Sequence, residues 1–327
     1  MNTIPDWQAP LKRTFGFDHL REGQQPVVEA ILAGRSAAAI FPTGSGKSLC
    51  YQLPALLLPN LTLVVSPLLA LMQDQVAFLR SKGVAAASLD STLSREELTS
   101  VQQGVRNGEI KILFISVERL KNERFREFIR GVAISLLVVD EAHCISEWGH
   151  NFRPDYLNLP HGRREFTIPQ SVLLPATATQ PVVDDMRRHF DIVESDVIST
   201  GFYRPNLRLL VQPTPVHERL NKCAQWLNHR IKKGELFGSI IYVTQQNTAD
   251  EVASHLNNLV NVPVESYHAG LPSETRQAIQ QRFMSGTTPC IVATIAFGMG
   301  IDKSNIRQVL HYDLPKSIEN YSQEIGR

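Results

Sequence analysis

The sequence FPTGSGKS at residues 41–48 has the composition of a loop that binds nucleotide phosphates. It follows the apolar run at residues 37–40, which predicts a buried strand, and precedes residues 49–53, which can open a helix. Glycines let backbone N–H groups turn inward to phosphate oxygens, and the amino end of a helix adds partial positive charge. The residues expected to contact phosphate are Thr43, Gly44, Ser45, Gly46, Lys47 and Ser48.

Two side chains of this loop have separate predicted tasks. Lys47 can reach the outer phosphates, and the Ser48 hydroxyl can hold Mg²⁺, so ATP and Mg²⁺ are the predicted ligands. The full consensus has a glycine five residues before Gly46, where this chain has Phe41. The Gly-Ser-Gly-Lys-Ser centre is intact, and an ordinary glycine-rich turn is the alternative interpretation.

An acidic pair stands at the end of a second apolar run. Residues 136–139 are Leu-Leu-Val-Val and lead directly into Asp140 and Glu141. Ligands of open α/β sheets bind at the carboxyl ends of the strands, where this pair would lie. Asp140 can hold Mg²⁺, and Glu141 can orient or deprotonate the attacking water. The alternative is a helix that begins with two acidic residues, but the phosphate-binding loop upstream favours ATP hydrolysis.

The same segment continues into a longer pattern that resembles a known family. Residues 140–143 are Asp-Glu-Ala-His, and this motif after a phosphate-binding loop resembles the superfamily 2 helicases. The aromatic-rich sequence CISEWGHNFRPDY at residues 144–156 is similar to the RecQ DNA helicases, and further motifs extend the resemblance from residue 15 to residue 327. The resemblance implies an ATP-dependent DNA helicase of recombination and repair, with two RecA-like domains and 3′-to-5′ movement on single-stranded DNA.

The resemblance assigns nucleotide chemistry to individual positions. Arg21 and Gln24 match the motif that reads adenine, a base that a glutamine amide suits because it both donates and accepts hydrogen bonds. A solvent-exposed helix face is the alternative for that motif. Asp302 would contact the ribose. The residues assigned to hydrolysis are Lys47, Asp140, Glu141, His143 and Arg327.

The resemblance also places residues at the DNA, or between the DNA and ATP sites. The aromatic loop could stack on unpaired bases, although core packing is the commoner role of tryptophan and phenylalanine. One departure is Pro175, which stands where the family has the first threonine of Thr-Ala-Thr-Ala and removes a hydroxyl and an N–H. The residues assigned to DNA binding or coupling are Ser66, Gln75, Trp148, His150, Phe152, Arg153, Thr177, Thr244 and Thr294.

Alternating strands and helices would position these residues. Short β-branched runs predict strands, periodic stretches predict helices, and Ser94 with Glu97 predicts a capping box. Nearly uninterrupted apolar strands predict parallel sheets covered on both faces, an α/β fold. The predicted strands are residues 37–40, 61–66, 111–116, 135–140, 171–175, 238–243, 263–267, 290–294 and 308–312, and the predicted helices are residues 69–82, 95–106, 248–259, 274–283 and 317–324.

Length and composition indicate a protein of two globular domains. The chain has 327 residues, of which 43% are hydrophobic and 20% are charged. Residues 201–215 contain Pro205, Pro213 and Pro215 and little helical pattern, so we expect a linker there and domains at residues 1–205 and 206–327. A formal net charge of +1 gives no independent reason to expect a nucleic-acid partner.

The cysteine pattern and the amino terminus indicate a cytosolic location. The 4 cysteines lie far apart without metal-ligand spacing, and the first residues lack the basic and apolar regions of a signal peptide. The apolar runs are shorter than a membrane span. We expect reduced cysteines and a monomer whose partner is single-stranded or partly duplex DNA, associated with the nucleoid if the protein is bacterial.

Two rival functions stay open. One is a DEAH-type motor that acts on RNA, against which the aromatic loop at residues 148–153 argues. The other is a chain that binds ATP or DNA without turnover. The arginine motif begins at residues 323–327 and the sequence stops there, so we expect ATP binding with weak hydrolysis and no unwinding of duplex DNA.

Overall fold

A computed structural model divides the chain into two compact units, residues 1–202 and residues 203–327. It describes residues 4–326 except 91, 148–151, 176–177, 202–203, 205, 236–237, 298–302 and 304. Each unit is a parallel sheet flanked by helices, so the predicted α/β fold class is confirmed. The exact boundary predicted between domains, after residue 205, stays a prediction.

The first unit contains a sheet of 7 strands in the order β3-β4-β2-β5-β6-β1-β7. Every strand pairing in this sheet is parallel. The strands are β1 (Ala37–Ile40), β2 (Leu61–Val65), β3 (Ala86–Leu89), β4 (Ile112–Ile115), β5 (Ile134–Asp140), β6 (Ser171–Leu174) and β7 (Val197–Ser199).

Helices cover both faces of this sheet. Alternate residues of β1 enter two different hydrophobic cores, Ala38 and Ile40 one core and Ala37 and Ala39 the other, which explains the uninterrupted apolar sequence. The helices are α1 (Gln8–Pro10), α2 (Gln24–Leu32), α3 (Leu49–Leu57), α4 (Leu69–Ser81), α5 (Arg95–Arg106), α6 (Glu123–Arg130), α7 (Leu159–Glu165) and α8 (Gln180–Phe190). A π-helical turn (Leu11–Phe15) and the 3₁₀ turns Val117–Lys121, Ala142–Ile145, Pro154–Asn158 and Glu194–Asp196 complete the unit.

The second unit contains a parallel sheet of 4 strands in the order β11-β8-β10-β9. Its strands also divide their side chains between two cores, with Ile241 on one face and Ile240 on the other. The strands are β8 (Gly238–Tyr242), β9 (Val264–Tyr267), β10 (Cys290–Ala293) and β11 (Ile306–His311). The helices are α9 (Arg219–Lys232), α10 (Gln246–Leu259), α11 (Ser273–Ser285) and α12 (Ile318–Ile325), with a 3₁₀ turn at Val216–Glu218.

All nine predicted strands and all five predicted helices are present, with small differences at their ends. The capping box is confirmed, because Glu97 N donates to Ser94 Oγ at 3.2 Å and Ser94 N donates to Glu97 Oε2 at 2.8 Å. The sequence did not predict β3 or β7. The alanine-rich sequence of β3 has weak strand propensity, and β7 is only three residues long.

The four cysteines are free, and all four are buried, which the sequence did not predict. Burial raises the pKa of Cys50, Cys144 and Cys223 to about 12 each, so these thiols are protonated and unreactive in the folded protein. Among the described residues, no helix combines the length and apolar character needed to cross a membrane.

Candidate ATP site

Four neighbouring strands of the first sheet deliver the predicted nucleotide residues to one edge. In the order β2-β5-β6-β1, their carboxyl ends lead into Ser66, Asp140, Pro175 and the loop at residues 41–48. Because parallel strands share this edge, residues from four distant parts of the sequence come together. The edge is therefore the candidate active site of the first unit.

The phosphate-binding loop has the backbone that its glycines predict. Gly44 and Gly46 have φ values of 80° and 82°, in the left-handed region that favours glycine. Ser48 then precedes α3, whose amino end faces the loop. The Ser45 hydroxyl oxygen is buried and has no hydrogen-bond partner among the described residues, as expected of a group whose partner is a ligand.

The side chains of Gln24 and Arg21 hydrogen-bond to backbone carbonyls of the phosphate-binding loop. The Gln24 amide nitrogen donates to Gly46 O at 2.9 Å and to Ser45 O at 3.3 Å, while its oxygen accepts from Arg21 N at 2.8 Å. Arg21 Nη1 donates to Gly44 O at 3.1 Å. Both residues predicted to read adenine thus contact the loop in the structure, and their contact with adenine stays a prediction.

The departure at Phe41 has a packing explanation. The Phe41 side chain is 1% exposed and lies against Gly23, the residue that caps α2 with a φ of 79°. A Cβ atom on Gly23 would lie 2.8 Å from Phe41 Cε1 and 2.5 Å from Thr200 Cγ2. The phenylalanine fills space that the missing side chain of Gly23 leaves, and it supports the helix that carries Gln24.

Gly23→Ala is therefore expected to destabilise the first unit by about 1–3 kcal/mol more than Gly16→Ala, because only Gly23 adds overpacking to backbone strain. Gly16 is a matched control, since its φ of 78° is the same within a degree and a Cβ atom there would meet nothing within 4 Å. Urea unfolding followed by circular dichroism measures both variants. Equal losses would show that Phe41 and Thr200 do not constrain this position.

Lys47 has a partner that sequence analysis did not foresee. Its Nζ donates to Pro175 O at 2.9 Å, which links the loop after β1 to the end of the neighbouring strand β6. This contact uses a backbone carbonyl, which proline retains, so replacing the family's threonine does not remove it. The neighbouring Thr177 lies outside the described residues.

Asp140 lies near this lysine, and Glu141 follows Asp140 in the chain. Ser66 Oγ donates to Asp140 Oδ2 at 3.0 Å, and Glu141 N donates to Asp140 Oδ1 at 3.0 Å. Burial raises the pKa of Asp140, and the nearby charge of Lys47 opposes that rise. Ser66 thus supports the carboxylate predicted to hold metal, and its contact with DNA stays a prediction.

Glu141 has an unusual backbone conformation. Its φ of 50° and ψ of 42° are left-handed, which costs a residue with a side chain about 1–3 kcal/mol. Its Oε2 lies 3.4 Å from Nδ1 of His143, a side chain that is 3% exposed. The Glu141 carboxylate thus lies beside His143 on a strained backbone, a combination found at functional sites.

The donor set at this edge fits Mg²⁺. A carboxylate and a hydroxyl oxygen, from Asp140 and Ser48, are the hard oxygen ligands that Mg²⁺ uses beside phosphate oxygens and water. The loop beside this edge carries the Ser45 hydroxyl, which has no hydrogen-bond partner among the described residues. Mg²⁺ and ATP stay predicted ligands of this site.

Two contacts close the base of the aromatic loop. Arg153 N donates to Cys144 O at 3.0 Å, and Ser146 Oγ donates to Asp185 Oδ2 on α8 at 2.6 Å. Tyr156, which is fully buried, donates its hydroxyl to Asp140 O at 3.4 Å. Tyr156 and Asp185 were not among the predicted site residues. No short motif marks Asp185. Tyr156 is the last residue of the aromatic-rich sequence at residues 144–156, and that sequence alone did not single it out.

The remaining residues predicted to bind DNA lie in the first unit, in the second unit or outside the described part of the chain. In the first unit, Phe152 and Arg153 are half-buried, and Gln75 accepts a hydrogen bond from Gln52 at 2.7 Å. In the second unit, Thr244 donates its N–H to Asp313 at 3.0 Å, and Thr294 is 9% exposed at the end of β10. The predicted residues outside the described part of the chain are Trp148, His150, Thr177, Asp302 and Arg327.

A phosphate-binding loop after β1 and an acidic end of β5, with β6 between these two parallel strands, define a RecA-like, P-loop fold. The chain belongs to the DEAD/DEAH box helicase family, whose model matches residues 21–186. A second model, the helicase conserved C-terminal domain, matches residues 218–327.

Curated relatives refine this assignment. The chain is 40% identical over 329 residues to the ATP-dependent DNA helicase RecQ of Pasteurella multocida, covering 98% of this chain and 51% of that protein. It is 39% identical to the RecQ protein of Bacillus subtilis, covering 98% of this chain and 53% of that protein. These matches confirm the predicted resemblance to the RecQ helicases, and the chain spans about half the length of the curated relatives it matches.

Solved structures support the fold. The DEAD-box helicase Mss116 bound to ssRNA and UDP-BeF has a TM-score of 0.78 at 19% identity, covering 99% of this chain and 70% of that chain. Helicase Lhr of Mycobacterium smegmatis, bound to ssDNA and AMP-PNP, has a TM-score of 0.72 at 18% identity, covering 99% of this chain and 46% of that chain. At such identities the likeness concerns the fold alone.

Proposed function

We propose that this chain is the motor core of a RecQ-type DNA helicase, which hydrolyses ATP and moves 3′ to 5′ along single-stranded DNA in recombination and repair. The observation that carries the proposal is the convergence of Lys47, Asp140 and Glu141 at one sheet edge. The names of the curated relatives, ATP-dependent DNA helicase RecQ, supply the substrate class. Domains at residues 1–205 and 206–327 and a cytoplasmic or nucleoid location belong to the same proposal.

Hydrolysis needs the phosphates to be held and the attacking water to be oriented. The loop N–H groups and Lys47 hold the β- and γ-phosphates, and Glu141 accepts a hydrogen bond or a proton from the water. Mg²⁺ held by Asp140 and Ser48 would neutralise charge on the phosphate oxygens. Arg327, from the arginine motif, adds positive charge to the transferring group, and Asp302 contacts the ribose.

In this proposal, ATP binding is coupled to DNA binding through the contact between Lys47 Nζ and Pro175 O. When Lys47 turns to a phosphate, the Pro175 carbonyl loses its partner, and the segment that follows leads into α8. Asp185 on α8 holds Ser146 at the base of the aromatic loop. Occupancy of the ATP site can therefore bias the loop that carries Trp148, His150, Phe152 and Arg153, a chain of contacts that mutation must test.

The experiment is to compare Trp148→Ala with Trp148→Phe in ATPase assays with and without single-stranded DNA. Removing the ring is expected to lower the DNA-stimulated rate more than the basal rate, because base stacking contributes about 1–3 kcal/mol per base. Phenylalanine keeps an aromatic face and should retain most of the stimulation. An equal loss of both rates would mean that Trp148 supports the fold instead of contacting DNA.

A further inference from the structure

Helix α12 is attached to its unit in an unusual way. Its best-buried residues are polar, with Gln323 and Glu324 6% and 7% exposed as whole residues, while the apolar Ile318 is 79% exposed. Among the described residues, neither hydrophobic core of the second unit includes a side chain of α12. Apolar packing, which normally fixes the position of a helix, therefore contributes little here.

A buried side-chain pair and a neighbouring ring contact link α12 to the sheet instead. Nε2 of His311 lies 2.8 Å from Oε2 of Glu324, and the two side chains are 16% and 8% exposed. The His311 ring is stacked with Tyr242, with centroids 5.9 Å apart and planes 22° apart. The centroid of the Tyr321 ring of α12 lies 5.2 Å from that of the His311 ring.

His311 is itself held rigidly. It is the last residue of β11 and pairs in register with Tyr242 of β8, whose hydroxyl donates to Phe297 O at 3.0 Å. The pair therefore joins α12 to the sheet at a fixed point. A carboxylate as buried as that of Glu324 is costly without a hydrogen-bonding partner, so loss of His311 would favour outward movement of the helix.

We propose that His311 and Glu324 are positioning residues that fix α12, and with it the arginine motif that begins on this helix at Gln323. The proposal rests on the proposed function in one respect, that the arginine motif acts on ATP. The position of the helix itself depends only on the second unit, so it can be measured whether or not ATP is hydrolysed.

The first test is hydrogen exchange of the α12 amides in two matched pairs of variants. His311→Leu and Glu324→Leu remove the donor or the acceptor, whereas His311→Gln and Glu324→Gln keep a group that can hydrogen-bond. We expect about tenfold faster exchange of α12 amides in the leucine variants and near-normal exchange in the glutamine variants. The double leucine variant should be no faster than either single variant.

Amides of Ile240 and Ile241 in β8 report global opening of the same unit. Faster exchange confined to α12 supports the proposal. Unchanged exchange in the leucine variants, or acceleration that is equal in β8, overturns it. Glu265→Gln is the control, because Glu265 accepts from Arg282 Nε at 3.0 Å within this unit but away from α12, and it should leave α12 exchange unchanged.

The second test is steady-state ATPase of the same variants. The leucine variants are expected to lower kcat about tenfold with an unchanged KM for ATP, because the residues predicted to bind the phosphates lie in the first unit, and the glutamine variants should restore kcat. A raised KM, or no rescue by glutamine, would contradict a positioning role. If the unsubstituted chain fails to hydrolyse ATP, the proposed function fails, while the exchange result still decides the role of the pair.

Discussion

Lys47→Ala is expected to lower the DNA-stimulated ATPase rate by about 10²–10³-fold while the protein stays folded. Lys47 supplies the positive charge nearest the transferring phosphoryl group. In the structure its Nζ donates to Pro175 O at 2.9 Å, a contact that no other described lysine makes. The measurement is phosphate release at saturating ATP and single-stranded DNA. An undiminished rate would remove Lys47 from the active site.

A second lysine provides the control. Lys111 is also partly buried and donates to Pro59 O at 3.2 Å, at the start of β4 and thus at the opposite edge of the sheet. Lys111→Ala should cost some stability and leave kcat unchanged. A comparable fall in kcat for both variants would show that the effect of Lys47→Ala comes from disturbance of the fold.

Glu141→Gln is expected to reduce hydrolysis by about 10²–10⁴-fold without weakening ATP binding. The amide has nearly the shape of the carboxylate, so the strained backbone at φ 50° is retained, but it cannot accept a proton from water. Single-turnover hydrolysis and equilibrium binding of a fluorescent ATP analogue separate the two effects.

Glu127 on α6 is exposed and serves as the matched control for charge. Glu127→Gln should change neither rate nor affinity. If Glu141→Gln lost ATP affinity in proportion to rate, Glu141 would be a binding residue, and the water-orienting role would be wrong.

The sequence predicted the fold class and the nucleotide side of the site well. Strands with runs of apolar residues, such as Ala37–Ile40 and Ile134–Asp140, must be buried on both faces, and glycine at residues 44 and 46 permits the left-handed backbone of the phosphate-binding loop. Each of these signals comes from residues that are close together in the sequence. The end of a strand could therefore be located to within one or two residues.

Contacts between distant segments were not predictable in the same way. The Lys47–Pro175 contact joins residues 128 positions apart and uses a backbone carbonyl, which leaves no trace in side-chain patterns. The Ser146–Asp185 and His311–Glu324 pairs depend on how helices pack on the sheets. Phe41 appeared as a departure from a motif, and only its approach to Gly23 explains it.

The ATPase rate of this chain with saturating single-stranded DNA, compared with RNA of the same length and base order, tests the central claim most directly. We predict a weak ATPase whose kcat DNA raises above the basal rate and above the rate with RNA, and that added salt weakens apparent DNA affinity because phosphate contacts release counterions. A rate that RNA stimulates as strongly as DNA would contradict a DNA motor, and a rate that neither stimulates would contradict a nucleic-acid-dependent ATPase.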